Sequence, residues 1–339
     1  MDIAVTAFTP ADSAAVERAF EIQTAVVTAD IPGFPTPVQR DFYVGMKHPR
    51  TGYAFERYLA HVDGKPVGYL EMTMPQLDNT DNVTVELQVL PDYRRRGVGR
   101  ALHARAVERA RALGRKRLMS MAVATLPGGP VRDEAGNRFA AAMGAESVLL
   151  EVRRRLDVTS VDQPRLDAML TEAWKHADGY EPVRWVGATP EDLIDDVAYL
   201  DGRLVEDAPM GDLEWEPEKV DADRIRKVEQ NHELRGRRMY HSGLRHVASG
   251  RLAAWTEITL ADGNEWHAFQ QITIVEPAHR GHRLGTIVKI DNLRQVLAKE
   301  PDLNVIDTWN AAANDHMISI NEAIGFRAVD TWNNWQQAV

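Results

Sequence analysis

The stretch "VELQVLPDYRRRGVGRAL" (residues 85–102) passes from an alternating, strand-like pattern into a helical one, with three arginines and two glycines at the junction. Unpaired N–H groups and the helix dipole attract anions to a helix N-terminus. Glycine lets the backbone approach such an anion closely. An arginine side chain can donate two parallel hydrogen bonds to phosphate oxygens. The junction predicts a pyrophosphate site. A helix start with solvated arginines is the alternative interpretation.

A second stretch, "QITIVEPAHRGHRLGTIV" (residues 271–288), repeats this pattern. Pro91 corresponds to Pro277, an offset of 277 − 91 = 186 residues. Further along, "AAAMGAE" around Gly144 corresponds to "NEAIGFR" around Gly325, an offset of 325 − 144 = 181 residues. Two marks in the same order at nearly the same offset indicate duplication of a whole domain.

Both copies show the same succession of patterns. Each begins with a hairpin and a further alternating strand, and continues with the arginine and glycine turn, an amphipathic helix, a buried strand and a short helix that ends at glycine. Mixed strand and helix content predicts an α/β (α+β) fold. We expect two domains, at residues 1–157 and 158–339, because the acidic, proline-bearing segment 153–167 is typical of a boundary.

Composition excludes several classes of protein. The chain lacks cysteine and metal-ligand spacing among its histidines, so we expect no metal site and no disulfide. Residues 1–155 carry 21 basic and 18 acidic side chains, about +3, and the remainder carries 19 and 32, about −13, which disfavours nucleic-acid binding. No signal peptide or membrane span is recognisable, and we expect a cytoplasmic protein.

The turn Arg94-x-x-Gly97-x-Gly99, between a strand and a helix, resembles the pyrophosphate turn of the GCN5-related N-acetyltransferase superfamily. The repeated layout also resembles that of tandem actinobacterial acetyltransferases such as mycothiol synthase. This resemblance implies two tandem domains, each with a mixed, mainly antiparallel twisted sheet flanked by helices. It also implies acetyl-CoA as the cofactor.

The resemblance assigns cofactor contacts to the end of the fourth strand and to the turn in each copy. In the first copy these residues are Leu87, Gln88, Val89, Arg94, Arg95, Arg96, Gly97, Val98, Gly99 and Arg100. In the second copy they are Thr273, Ile274, Val275, Arg280, Gly281, His282, Arg283, Leu284, Gly285, Thr286 and the downstream Asn314.

Each copy departs from the family pattern at a different place. In the second turn Arg283 replaces the first glycine, which predicts a narrower phosphate turn. The second copy keeps Asn314, the asparagine that contacts the pantetheine arm in the family, whereas the first copy has Asp133 there. The tyrosine that usually serves as general acid is replaced by Ala140 and Asn321.

The resemblance implies direct attack of an amine on the thioester, with backbone N–H groups of the fourth strand polarising the carbonyl. A neutral amine is required, so a general base is useful. Glu86 is the best-placed carboxylate in the first copy, and an exposed strand residue is its alternative interpretation. Ile272 stands at the equivalent place in the second copy and cannot act as a base. There Gln271 or Thr273 could orient water, or Glu257 or the acidic loop could serve as the base.

Asn321, Ser319 or water could hydrogen-bond the leaving sulfur. Asn321 is our candidate, with capping or packing as its alternative interpretation. Together with Glu86 and Thr273 it completes the predicted catalytic set. Residues 191–223 hold thirteen acidic side chains against Arg203 and Lys219. This segment favours a lid for cationic amines, or otherwise a solvated helix face.

The sequence thus predicts an N-acetyltransferase that acts on a primary amine of a small molecule. It also predicts no nucleic-acid or membrane partner and a monomer or homodimer. Loss of both tyrosines leaves a catalytically silent acyl-CoA-binding or regulatory module as the alternative. Nucleic-acid binding through Arg94–Arg96 is a third hypothesis.

Overall fold

A computed structural model describes residues 2–339. The first half of the chain contains, in order, β1 (Ile3–Phe8), α1 (Ser13–Asp30), α2 (Gln39–Lys47), β2 (Tyr53–Val62), β3 (Lys65–Pro75), β4 (Asn82–Val89), α3 (Val98–Ala112), β5 (Arg117–Thr125), α4 (Ala135–Ala142) and β6 (Glu146–Asp157). The predicted elements of the first copy are confirmed.

The second half contains α5 (Gln163–Trp174), β7 (Tyr180–Val186), α6 (Ile194–Gly202), α7 (Leu204–Asp207), α8 (Ala222–Leu234), β8 (Arg237–His246), β9 (Leu252–Ala261), β10 (His267–Val275), α9 (Leu284–Leu297), β11 (Val305–Ala311), α10 (Asp315–Ile324) and β12 (Arg327–Ala338). Single 3₁₀ turns occupy Pro91–Tyr93, Val158–Ser160 and Pro277–His279. Two of these 3₁₀ turns directly precede the arginine and glycine turns.

The chain forms two compact units whose membership is discontinuous. The first unit comprises the residues up to Glu151 together with Met210–Glu216 and Asp330–Val339, and the second comprises Val152–Pro209 and Pro217–Val329. The predicted boundary between residues 157 and 158 concerns the repeated sequence and stays a prediction. The bounds of the compact units depend on three-dimensional packing and not on the repeat in the sequence.

In the first unit the strand order is β1-β2-β3-β4-β5-β12. The hairpins are antiparallel, and Asp63-Gly64 makes the predicted tight turn between β2 and β3, with φ of 49° and 80°. Only β4 and β5 run parallel. The last strand of the chain covers β5 over nine residue pairs, from Asp330–Thr125 to Ala338–Arg117.

Two layers of helices cover this sheet. Leu102 and Ala106 of α3 pack on one face against Leu70 and Val83, and every one of these four side chains is buried. Helices α1 and α2 pack on Leu59 and other residues of the opposite face. The apolar 3.6-residue period that predicts α3 therefore corresponds to real burial.

The second unit repeats this arrangement with the strand order β6-β11-β10-β9-β8-β7. Strands β10 and β11 are parallel, and β7 to β10 pair antiparallel. Ile290 and Leu293 of α9 pack with α5, α10 and one face of the sheet, while α6 and α8 pack on the other. The predicted mixed, mainly antiparallel sheet flanked by helices is confirmed in both units.

Candidate active sites

Each unit has a place where two parallel strands part. In the first, β4 pairs with β5 only over Asn82–Thr84, although β4 continues to Val89. In the second, β10 pairs with β11 only over residues 267–269, although β10 continues to residue 275. One edge of residues 87–89 and one edge of residues 273–275 are therefore free of a neighbouring strand, as a bound thioester would require.

The turn after β4 presents a cluster of free backbone donors. Arg95 and Gly97 adopt left-handed conformations, with φ of 61° and 89°. In the part of the chain that the structure describes, the N–H groups of residues 95–100 have no hydrogen-bond acceptor. Helix α3 begins without a side-chain cap, whereas α1 is capped by Asp12 and α10 by Asn314. Open donors in this concave turn suit a phosphate group.

The turn after β10 has the same backbone with glycine and arginine exchanged. Gly281 and Arg283 occupy its two left-handed positions, with φ of 89° and 58°. A left-handed conformation costs a non-glycine residue about 1–2 kcal/mol, so each turn holds one strained arginine. The expectation that Arg283 narrows the turn is wrong for the backbone, because arginine adopts the conformation that glycine has at position 97.

In each turn the side chain of the first arginine contacts other residues of the same chain through hydrogen bonds or ion pairs. Arg94 makes hydrogen bonds of 2.8 Å to each carboxylate oxygen of Asp30 and one of 2.6 Å to Asp133. Its Nε also donates to the carbonyl of Val89, at 3.0 Å. These contacts fasten the turn to β4 and to the end of α1. Direct cofactor binding by Arg94 therefore stays a prediction, and its hydrogen bonds to Asp30, Asp133 and Val89 assign it a positioning role.

Arg280 repeats this arrangement in the second unit. Its Nη2 lies 2.9 Å from Asp207 and its Nε lies 3.4 Å from the carbonyl of Val275. Asp207 belongs to the acidic segment 191–223, one interpretation of which is a lid for cationic amines. Other carboxylates of that segment are also bound, since Glu191 pairs with Arg226 at 2.6 Å. These ion pairs compensate part of the negative charge of segment 191–223. They favour a role in holding the fold together over a lid that attracts cationic amines.

The cations that remain open to an anion are the ones after the first arginine. Arg95, Arg96 and Arg100 are exposed in the first turn, and only Arg96 contacts a ring, that of Tyr93 at 5.5 Å. In the second turn Arg283 is exposed. The first turn therefore presents more mobile positive charge.

Glu86 lies on β4, directly opposite Glu71 of β3. Its side chain is exposed to solvent. The protein around this position disfavours the charged form and, together with the negative charge of Glu71, raises the pKa of Glu86 to about 7. Glu71 itself is held by Arg57 at 2.5 Å and by the hydroxyl of Tyr69 at 3.0 Å. A carboxyl with this pKa is suited to accept a proton near neutral pH.

The second unit has a β-bulge at the same place. Ile258 pairs with Gln270 and Thr256 with Thr273, so Gln271 and Ile272 together oppose Glu257. Counted from the paired end of the strand, exposed Gln271 is the counterpart of Glu86, whereas sequence alignment alone assigns Ile272. Neither residue can act as a base.

Glu257 takes over as the titratable carboxyl of the second unit. Burial and the charges of Asp201 and Glu229 raise the pKa of Glu257 to about 8. Its register partner on β8 is His241, whose Nδ1 lies 3.7 Å away. Burial lowers the pKa of His241 to about 3, so this histidine is neutral and does not offset the carboxylate charge. At neutral pH Glu257 is mostly protonated.

Comparison with known proteins identifies this architecture. The model of the Acetyltransferase (GNAT) family matches residues 21–126. A solved tandem GNAT protein from the clavulanic acid biosynthesis pathway is 30% identical, with a TM-score of 0.84 and coverage of 99% of this chain and 98% of that one. The chain belongs to the GCN5-related N-acetyltransferase family.

A second solved structure supports the fold of this tandem GNAT. The GCN5-related N-acetyltransferase from Sphaerobacter thermophilus has a TM-score of 0.66 at 12% identity, and the match covers 99% of this chain and 95% of that one. No curated protein matches the sequence. Membership agrees with the parted strands and the open turns of both units, and the family is one of acyl-CoA-dependent acyltransferases.

The downstream residues of the tandem GNAT divide between capping and packing. Asn314 caps α10, because its side-chain oxygen accepts from the N–H of Met317 at 3.2 Å. Asn321 is fully buried and donates to Asn310 at 2.7 Å, while its own Oδ1 has no partner. This placement favours packing over contact with a leaving sulfur. The catalytic role predicted for Asn321 therefore lacks support.

Thr273 lies on the free part of β10, as predicted. Its hydroxyl hydrogen-bonds that of Thr256 at 2.8 Å and lies 3.5 Å from the Nζ atom of Lys289. Lys289 is not among the site residues predicted from the sequence. The available signal was its helical spacing from Gly285 and Leu293, which places a lysine on the buried face of α9.

Two further observations concern what else the protein could hold. Within residues 2–339 no group of three or more histidine, cysteine, aspartate or glutamate side chains is arranged to bind a metal ion. The same residues include no helix of the length and apolarity needed to cross a membrane.

Proposed function

We propose that this tandem GNAT is an acetyl-CoA-dependent N-acetyltransferase that transfers an acetyl group to a primary amine of a small molecule. The single observation that carries the proposal is the combination, in each unit, of a parted strand and an open turn. In each unit the helix that follows the parted strand begins with N–H groups that have no hydrogen-bond acceptor among the described residues, and it has no side-chain cap.

The residues present fit a cofactor with a pyrophosphate and a thioester. The N–H groups of residues 95–100 would hold the pyrophosphate of one cofactor, with Arg95, Arg96 and Arg100 adding charge. In the second unit the N–H groups of residues 281–285 and the Arg283 side chain would do the same. Bound acetyl-CoA supplies the activated acyl group.

In the first unit Glu86 would accept the proton that the attacking amine loses. Its pKa of about 7 leaves a substantial fraction ionised at neutral pH, while keeping the carboxylate basic enough to accept a proton. Arg57 forms an ion pair with the neighbouring Glu71 at 2.5 Å, whereas Glu86 has no ion-pair partner among the described residues. In the second unit Glu257 would play this part only above neutral pH.

Calorimetric titration with acetyl-CoA and with CoA tests the first half of this proposal. We expect binding to the full-length chain, with the stoichiometry reporting one or two working sites. Thiol release during incubation with small amines and polyamines tests the second half. A protein that binds neither acetyl-CoA nor CoA would overturn the proposal.

A catalytically silent acyl-CoA-binding module is the second candidate. The observation that favours it is Asn321, which stands where the family has its acid and is fully buried. This candidate predicts tight CoA binding and no thiol release above the uncatalysed rate with any amine. Turnover of a single amine rejects it.

A further inference from the structure

Lys289 is an unusually placed cation in the second unit. The residue is 2% exposed, and its Nζ lies 5.7 Å from the centre of the Phe326 ring. In the described chain its one hydrogen-bond partner is the Thr273 hydroxyl, at a long 3.5 Å. Burying an ammonium group without a carboxylate costs several kcal/mol. Stability therefore does not explain a lysine here.

Among the described residues, none of the charged groups on the surrounding elements forms an ion pair with Lys289. Asp291 of α9 is paired with Arg184, and Asp307 of β11 is held by Arg155 at 2.7 Å. Glu322 of α10 faces Arg154 at 3.5 Å, and Glu257 of β9 faces His241 at 3.7 Å. Burial alone accounts for the pKa of Lys289, which it lowers to about 7. The amine is therefore not neutralised by any of these carboxylates.

The position of Lys289 relates it to the reaction. Thr273 lies beyond residue 269, where β10 has already parted from β11, and it belongs to the segment expected to bind the thioester carbonyl. Gly285, one helical turn before Lys289, belongs to the open phosphate turn. Lys289 therefore lies between the strand segment and the turn that would together hold the cofactor.

We propose that Lys289 donates a proton to the CoA thiolate as it leaves in the second unit. The inference rests on the proposed acetyl transfer. The amine nitrogen forms a bond to the acyl carbon, the carbon–sulfur bond breaks with its electron pair on sulfur, and sulfur takes a proton from Nζ. The surplus proton of the attacking amine goes to solvent, directly or through Glu257, and another solvent proton restores the ammonium.

Proton transfer in this direction is favourable. An ordinary thiol has a pKa of about 8.5, so an ammonium whose pKa burial has lowered to about 7 is the stronger acid. The residue at the same helix position of the first unit is His103, whose Nε2 lies 2.7 Å from the side chain of Gln337. The proposal concerns the second unit alone.

The decisive experiment measures the bound thiol and needs no acceptor amine. Full-length protein carrying Gly97→Glu, to silence the first turn, is saturated with CoA, and the pKa of the bound thiol is followed by thiolate absorbance. Arginine keeps its charge throughout the titration, so Lys289→Arg should lower the thiol pKa well below that of free CoA if residue 289 contacts the sulfur. Wild type at this position and Lys289→Met should stay near the free value, because the pKa of Lys289 is about 7 and its ammonium loses its proton before the thiol ionises.

Activity provides the second readout, with exposed Lys299→Met as the matched control. We expect Lys289→Met to lower kcat on the order of 10²-fold, with CoA stoichiometry unchanged, and to remove the fall of activity at high pH. Lys289→Arg should also be slow, because its guanidinium does not give up a proton.

Several results would overturn the proposal. One is a bound thiol whose pKa is the same in Lys289→Arg and in Lys289→Met. Another is acetylation of Lys289 itself, seen by mass spectrometry, which would make it an acceptor. Absence of amine turnover with a thiol pKa that Lys289→Arg lowers would instead reject the proposed function and leave the contact of residue 289 with the sulfur standing. Absence of CoA binding to the second unit would reject both.

Discussion

Strands β2 and β3 of the first unit correspond to β8 and β9 of the second. At one pair of facing positions the first unit has Arg57 and Glu71, and the second unit has His241 and Glu257. Arg57 and Glu71 form an ion pair at 2.5 Å, whereas His241 stands 3.7 Å from Glu257 and is neutral. The strand register is identical in the two pairs. One substitution therefore decides whether this carboxylate is compensated.

The consequence reaches the neighbouring strand. In the first unit Glu71 is paired with Arg57, and Glu86 on the next strand is the carboxyl whose pKa is raised, to about 7. In the second unit the position of Glu86 is taken by Gln271, and the uncompensated Glu257 has a pKa of about 8. Two copies of one fold thus place their titratable carboxyl on different strands, one suited to neutral pH and the other to more alkaline pH.

The largest effect is expected from closing one turn. Gly97→Glu adds a negative charge and a strained side chain where an anion would bind, so calorimetry should show the loss of one CoA site per chain. Gly64→Glu is the matched control, because Gly64 has a φ of 80° and open space around it in a hairpin. Unchanged stoichiometry in Gly97→Glu would mean that the first turn is not a site.

Removing the two carboxyls separately compares the units in catalysis. Glu86→Gln should lower kcat/KM by about 10²–10⁴-fold at neutral pH if the first unit carries the reaction, because a general base contributes that much. Glu257→Gln should then have little effect, and the reverse holds if the second unit is the active one. Steady-state thiol release with one amine measures both. Full activity in both variants would exclude both residues as bases.

Exchanging the neighbouring cation sharpens the comparison. A base works when deprotonated, so the activity of the first unit should rise as pH passes through about 7, the pKa of Glu86. Arg57→His removes a positive charge and should move that rise to higher pH. His241→Arg should lower the pKa of Glu257 and move any rise due to the second unit downward. Identical pH profiles of kcat/KM in both variants and wild type would contradict this account.

The smallest effect concerns strain in the second turn. Arg283→Gly relieves a left-handed conformation worth about 1–2 kcal/mol but gains flexibility in the unfolded chain, worth about 0.4–1 kcal/mol. We expect a net gain of up to about 1 kcal/mol in the free energy of unfolding, measured in urea. Arg95→Gly, at the other strained arginine, should behave alike. Clear destabilisation by Arg283→Gly would show that its side chain makes a stabilising contact.

Much of the fold could be predicted from local pattern. The helix from Val98 onward, the Asp63-Gly64 hairpin and the parted strand before each turn follow from periodicity, turn chemistry and family resemblance. Glu86 was also accessible to sequence reasoning, because it lies next to the turn on the same strand. These features depend on residues close together in the chain.

The rest of the site depends on pairing between distant strands. Arg94 has the right type and position for a phosphate ligand, yet its partners Asp30 and Asp133 lie 64 and 39 residues away in the sequence. The bulge that replaces Ile272 by Gln271 as the counterpart of Glu86 arises from the register with β9. The residues around Arg94 do not indicate its partners, and the residues around Ile272 do not indicate the register of β10 with β9.

The sequence by itself determined the family, the duplication and the two predicted cofactor turns. Each of these depends on short stretches of sequence whose glycines, arginines and periodicity determine the local backbone conformation. Tertiary structure alone decided that Asp330–Val339 belongs with the first unit, that Glu257 is left uncompensated and that Lys289 is buried without a carboxylate partner. Strand pairing and burial are relations between distant residues. The pKa of a side chain depends on such relations and not on its immediate neighbours in the chain.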